Sequence, residues 1–197
     1  FNPAAPQNFY KANYWYNFYS YFNEINNRSD RNRLFGDIGL TWKLDNHFKV
    51  RGTLRRNQLM TYYENITPSA LEEAALQTGV LGSYATGSSN LQRMDYELLG
   101  FYNNTFGDFG INASFGGNIF TYRYNDVTAN TANGLNVPGL YAITNSKANP
   151  QIGNSRQQQQ INSLLGSFEV EWKKFFSLSF AGRQDWGSTL SPSKPSL

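Results

Sequence analysis

One sequence feature constrains this chain more than any other: apolar and polar residues alternate strictly on both sides of a short polar segment at 45–47. From Leu34 to Leu44 the even positions are uncharged and mostly apolar, while the odd positions carry Asp37 and Lys43. A period of two is typical of a strand with one dry face and one wet face. The alternation resumes over Phe48–Arg55 with the same parity. Residues 31–59 are therefore predicted to form a β-hairpin.

Parity also sets the register of this hairpin, because residues directly opposite in an antiparallel pair lie on the same face. Leu44 is predicted to face Phe48 across a three-residue turn, 45–47. Asn46 is the residue in this turn that best tolerates a left-handed conformation.

Two further hairpins are predicted from the same alternation, over 92–124 and 158–188. The first closes through Gly107–Asp108, a sequence typical of type I′ or II′ turns. The second closes through 173–175. The resulting registers pair Gly100 with Phe115, an aromatic covering a cross-strand glycine, and Phe168 with Phe180.

The segments between the hairpins lack sustained periodicity and are predicted to be external loops. They are 1–30, 60–91, 125–157 and the start of another loop at 189–197. Within the second, Thr67–Gly79 is punctuated like a short helix, with an N-cap threonine, a proline at the first helical position and a closing glycine. None of these segments is predicted to be a plug domain.

Composition excludes several classes of protein. Charged residues make up only 16% of the chain and aromatics also 16%, the net charge is +3, and cysteine is absent. The basic residues are dispersed, so nucleic acid is not an expected partner. No apolar run approaches the roughly 18 residues of a membrane helix, and the first residues lack a signal-peptide pattern, so we expect the chain to begin after one.

Strand length and loop asymmetry favour a membrane. Six strands of about a dozen residues match the roughly 9–11 that a tilted strand needs to cross a bilayer, and short turns alternating with long loops are typical of outer-membrane barrels. The fold predicted is all-β: an antiparallel transmembrane β-barrel segment with short periplasmic turns and long external loops. Dry-face aromatics beside each turn are predicted to form a membrane girdle: Trp42, Phe48, Phe106, Phe109, Trp172 and Phe176.

A soluble β-sandwich is the alternative, with the dry face as its core and the charged face in water. In the membrane interpretation, six strands cannot close a barrel. Two open edges in lipid would leave unpaired amides, each costing several kcal/mol. The chain is therefore predicted to be one piece of a larger wall.

Four motifs give a family resemblance. NYW at 13–15, DRNRLFGDIGLTW at 30–42, NVPGLYAITN at 136–145 and RQDWGSTL at 183–190 resemble, in sequence and in order, segments of the SusC/RagA-like TonB-dependent transporters. The resemblance implies a plugged barrel of about 22 strands in the outer membrane of a Gram-negative bacterium. It also implies energy coupling through TonB and a SusD-like surface lipoprotein as a lid.

Three functions remain open at this stage. They are active import of glycan or oligopeptide fragments, passive porin-like passage, and carbohydrate binding by a soluble sandwich. Loop aromatics could contact a ligand or a lid, or could pack within the loops; the candidates are Trp15, Tyr16, Tyr62, Tyr63 and Tyr141.

An enzyme is not predicted. The single histidine, His47, lies in a tight turn, where a surface role is more common than a catalytic one. Carboxylates two apart, Asp95 with Glu97 and Glu169 with Glu171, have the spacing of an acid/base pair or a calcium site but are more often wall charges. On the polar face, Asp37 and Arg55 would form either a cross-strand ion pair or two solvated charges. No metal or cofactor is expected.

Overall fold

The computed structural model describes residues 25–69 and 82–188. They form one six-stranded sheet whose strands are hydrogen-bonded in chain order. This confirms the predicted all-β, antiparallel segment of six strands. The strands are β1 Asn26–Lys43, β2 Phe48–Thr67, β3 Ser83–Phe106, β4 Phe109–Leu135, β5 Ser146–Trp172 and β6 Phe176–Gly187.

The strands extend well into the segments predicted as loops. β2 ends only at Thr67 and β3 begins at Ser83, while β4 ends at Leu135 and β5 begins at Ser146. These extensions are rich in Asn, Thr, Ser and Gln, so they lack the apolar alternation that marks a half-buried strand. Backbone pairing with neighbouring strands does not require an apolar face. Most of the predicted helix and of the two terminal loops lies outside the described residues.

The first turn keeps its predicted length but not its predicted mechanism. The Asp45 carboxylate accepts hydrogen bonds from the backbone N–H groups of His47, at 2.7 Å, and Phe48, at 2.6 Å. These two bonds lower the pKa of Asp45 below its usual value. Because the carboxylate satisfies the turn's amides, no left-handed residue is needed, and the positive φ predicted for Asn46 is not observed.

The other two turns contain the left-handed residues. Gly107 has φ of 59°, as the predicted tight turn requires at its first central position. Lys173 and Lys174 have φ of 50° and 56°, so the third turn is a three-residue connection with two left-handed lysines. The register of this hairpin pairs Phe168 with Phe180, as predicted.

The chain divides into two compact units. The turn unit comprises 33–58, 91–124 and 157–197, and the loop unit comprises 1–32, 59–90 and 125–156. All three short turns belong to the turn unit. The long connections between the hairpins belong to the loop unit.

The described residues contain almost no hydrophobic core. Tyr84 and Leu135, both in the loop unit, are the only buried hydrophobic residues among them. In the turn unit the predicted dry face is exposed instead, with Leu40 77%, Phe115 63% and Phe168 43% accessible. In a sandwich a second sheet would cover such a face. Within the described part of the chain, no such layer covers it.

Aromatic rings cover glycines on the dry face of the turn unit. A Cβ added at Gly100 would lie 3.4 Å from Cζ of Phe48, so the Phe48 ring covers this glycine. Phe115 contributes its backbone oxygen there, at 3.6 Å, while its ring approaches Gly166, where a Cβ would meet Cδ2 at 3.4 Å. The predicted cover of Gly100 by the Phe115 ring is therefore wrong, because strand side chains lean toward diagonal neighbours.

We expect Gly116→Ala to destabilise the sheet, by about 1–3 kcal/mol. A Cβ at Gly116 would overlap the backbone oxygen of Leu98, a group that cannot move without distorting β3. Gly36→Ala is the matched control, since a Cβ there meets nothing within 4 Å. Urea unfolding of the two variants measures the difference, and equal midpoints would contradict the close approach of β3 and β4.

Candidate functional site

The turn unit carries a continuous apolar surface, which we call the apolar band: the outward side chains of residues 34–44, 48–54, 94–106, 109–119, 164–172 and 176–180. The six predicted girdle aromatics are part of it. Their exposed fractions range from 36% for Phe48 to 71% for Trp42, so they are accessible on the face that the alternation predicts. Their role as a girdle stays a prediction.

The opposite face of the turn unit has a charge network. Arg55 donates to the carboxylates of Asp95, at 3.1 Å, and Glu97, at 3.4 Å. Asn118 adds a hydrogen bond to Asp95 of 2.8 Å. The predicted alternative of a cross-strand pair with Asp37 is not formed, because Arg55 bridges two carboxylates on β3 rather than one on β1.

This network bears on the carboxylate pair noted in the sequence. Asp95 and Glu97 both bind the Arg55 guanidinium, whose single positive charge offsets one of their two negative charges. His47 lies in its turn with Nδ1 3.1 Å from the carbonyl oxygen of Asn103. Among the described residues, no group of three His, Cys, Asp or Glu side chains is arranged to hold a metal ion.

In the loop unit, Tyr84 near the start of β3 links β2 and β4 through hydrogen bonds. Its hydroxyl donates to Oε1 of Glu64 at 2.8 Å, and its backbone N–H donates to Oγ1 of Thr131 at 2.9 Å. Burial and the hydrogen bond to Glu64 raise the pKa of Tyr84 to about 12. Sequence reasoning missed this residue because it lies in a segment predicted as loop.

The five predicted contact aromatics are not all equivalent. Tyr63 packs its ring against Gly87 of the neighbouring strand, where any side chain would clash with the ring. This contact gives Tyr63 a role in packing within the sheet. Tyr62 is 42% exposed and lines a groove of about 320 Å³, so it is available for contact. Trp15 and Tyr16 lie outside the described residues.

Residues 136–141, which we call the loop tip, lie in the connection between β4 and β5 and include no charged residue. The buried side chain of Asn145 donates to the carbonyl oxygens of Val137, at 2.8 Å, and Leu140, at 2.7 Å, and accepts from the Val137 N–H at 3.0 Å. Val137 and Leu140 remain 54% and 52% exposed. Tyr141, the fifth predicted contact, is half-buried beside them. The motif of the tip was visible in sequence, but the role of Asn145 was not.

Comparisons with known proteins rest on structure. No protein-family model and no curated protein sequence matches the chain. The chain is similar to the RagAB peptide importer in its "closed-closed" state, with a TM-score of 0.80 and 12% identity over 90% of this chain and 20% of that one. For the "open-open" state the values are 0.78 and 11% over 96% and 22%. For a further structure of the RagAB peptide transporter they are 0.73 and 12% over 87% and 19%.

The similarity shows the fold of this chain. The sequence resemblance to the SusC/RagA-like transporters is thus confirmed at the level of fold. The chain spans about a fifth of the length of the structures it matches. Separately, the described residues include no helix long and apolar enough to cross a membrane.

The two faces of the turn unit are expected to differ in their tolerance of charge. Leu40→Arg places a cation on the apolar band and should impair membrane assembly, by about 2–4 kcal/mol if the band contacts lipid. Thr41→Arg, one position away on the polar face, is the control and should be mild. The folded fraction in the membrane after expression measures both. Equal loss would indicate that both faces are packed against protein.

Tyr84→Phe is expected to destabilise the protein by about 1 kcal/mol, because Glu64 loses a hydrogen-bond donor. The pKa of Tyr84 is raised above its unfolded value, so this contribution is complete below pH 10 and is lost as the pH rises through about 12. Tyr96→Phe, which removes a hydroxyl from an exposed tyrosine, is the control. Unfolding free energies measured across this pH range test the prediction. A constant difference through pH 12 would contradict it.

Proposed function

We propose that this chain is part of the barrel wall of a SusC/RagA-like importer in the outer membrane of a Gram-negative bacterium. The complete barrel would have about 22 strands and a plug, and would take up oligopeptide or glycan fragments with energy supplied through TonB. A SusD-like surface lipoprotein would act as its lid. Catalysis has no part in this proposal.

One observation supports the proposal above others: the apolar band of the turn unit is exposed. Side chains such as Ile38, 70% accessible, and Phe180, 62% accessible, would be unfavourable in water over so large a surface. Lipid is the environment in which an uncovered, alternating sheet face is stable. The similarity in fold to segments of a peptide importer agrees with this placement.

The polar face suits a water-filled interior. It carries charges of both signs, with Arg55 held between Asp95 and Glu97 and with Lys49 and Arg51 nearby on β2. Mixed charges favour a zwitterionic cargo such as an oligopeptide, since each sign finds a complement. This favours peptides over neutral glycan fragments within the proposed substrate range, and it agrees with the cargo named for the structural neighbour.

The loop tip is the part of the loop unit best suited to a protein partner. Val137 and Leu140 are exposed on a backbone fixed by Asn145, and the tip has no charged residue. Rigid apolar projections are typical anchors of protein interfaces. In the proposal the tip contacts the lid, together with Trp15, Tyr16 and the segment Thr67–Gly79.

A passive porin-like channel is the second candidate function, since the same wall would serve both. The soluble carbohydrate-binding sandwich is disfavoured, because within the described residues the apolar band has no covering layer. The two membrane functions differ in their need for energy. A TonB-dependent importer stops without TonB, and a passive channel does not.

The test combines uptake and lid association in cells. We expect Val137→Ser with Leu140→Ser to reduce co-purification of the lid and uptake of labelled oligopeptides several-fold, with normal assembly of the barrel. Ile152→Ser, at a residue 72% exposed on β5 outside the tip, is the matched control and should leave both unchanged. Loss of uptake on removal of TonB is expected in every variant that transports.

The outcomes separate the alternatives. Uptake that persists without TonB would assign the chain to a passive channel. Full co-purification of the lid with the tip variant would show that the tip does not contact the lid. The importer assignment would then be decided by the TonB experiment alone. A protein that stays monomeric in water without detergent would overturn the membrane placement itself.

A further inference from the structure

The outward face of the turn unit carries two charged residues on its described strands, and both are arginines. Arg56 follows the apolar positions of β2, and Arg123 follows those of β4. Arg56 lies on the same face of β2 as Leu54, and Arg123 lies on the same face of β4 as Ile119, because their positions have the same parity. Both therefore mark the same boundary of the apolar band, the one remote from the short turns.

Neither arginine forms an ion pair within the described part of the chain. Arg56 donates to Oε1 of Gln58 at 2.5 Å, a neutral partner. Arg123 has no hydrogen bond or ion pair with any other described residue. By contrast Arg55, one position before Arg56 but on the polar face, binds two carboxylates. The outward rim is thus a pair of cations next to an apolar surface, with no acidic partner among the residues that the structure describes.

An open groove of about 1060 Å³ lies in the apolar band beside this rim. Glycines at 52, 100 and 117 form part of its floor, and Leu54 and Phe115 form part of its sides. The floor has room: a Cβ added at Gly52 would meet only Cδ1 of Leu98, at 3.9 Å. Because glycine has no side chain, these three positions leave a depression in the apolar band, and its size and apolar lining suit a hydrocarbon chain.

The rim and the groove are within reach of one amphiphile. Arg56 lies two residues beyond Leu54, which corresponds to about 7 Å along a strand. Arg56 and Arg123 lie on β2 and β4, which are separated by β3, so these two strands are on the order of 10 Å apart across the sheet. Two arginine side chains at that separation can converge on one bulky anionic headgroup.

We propose that this surface binds a phosphorylated lipid, with its phosphate on Arg56 and Arg123 and an acyl chain in the groove. Guanidinium groups match phosphate oxygens in bidentate geometry, and the apolar floor excludes the headgroup from the groove. Charge complementarity selects this occupant over a zwitterionic lipid or a second copy of the chain, neither of which requires a cationic rim. The inference relies on the membrane placement in the proposed function, but not on import.

The test uses the complete protein in non-ionic detergent. Lipid A, a diphosphorylated glycolipid, is the probe, and dioleoylphosphatidylcholine is the comparison lipid. Native mass spectrometry measures the bound fraction as lipid is titrated. We expect Arg56→Gln with Arg123→Gln to weaken lipid A binding about tenfold, and Gly52→Leu, which fills the groove, to weaken it several-fold.

The matched control is Lys49→Gln with Arg51→Gln, which removes the same charge from the polar face and should leave lipid A binding unchanged. Equal weakening by the control and rim variants would overturn the proposal, since it would indicate general electrostatic attraction. A change of oligomeric state rather than of lipid binding in Gly52→Leu would also overturn it. Import is measured separately, so failed uptake with selective lipid binding would reject only the proposed transport.

Discussion

A sheet face made of large apolar side chains must be removed from water, and this requirement governs the rest of the structure. In the described part of the chain, the sheet supplies no second layer for that purpose. In the proposed membrane placement, lipid does for this face what a core does in a soluble domain. The alternation of residues, the placement of charge on the other face and the covering of glycines by Phe48 and Phe115 all follow from it.

Much of the turn unit could be predicted from sequence because both of its constraints are local. Parity determines which residues share a face, and a short turn then determines the register, as the pairing of Phe168 with Phe180 illustrates. The loop unit offered no such signal. Residues 126–135 and 146–156 are paired in the sheet although neither has a sustained apolar alternation, and pairing of that kind depends on neighbouring strands rather than on a pattern within the segment.

The candidate sites show the same division. The girdle aromatics could be placed on a face by counting, whereas the partners of Arg55 could not. Those partners lie on β3, across a connection whose length hides the register between hairpins. Tyr84 and Asn145 were missed for a related reason, because a buried polar side chain is recognised by the groups around it. Thr131 and Glu64 are distant in sequence from Tyr84, so their convergence appears only in three dimensions.

The asparagine that fixes the loop tip has a kinetic consequence. Its side chain satisfies three backbone groups of Val137 and Leu140, so the tip holds its shape before any partner arrives. A partner meeting a preformed tip does not wait for a loop to rearrange, and little conformational entropy is lost on contact. Association would then be limited by diffusion and orientation, and the lifetime of the complex, rather than the rate of its formation, would vary with the side chains that the tip presents.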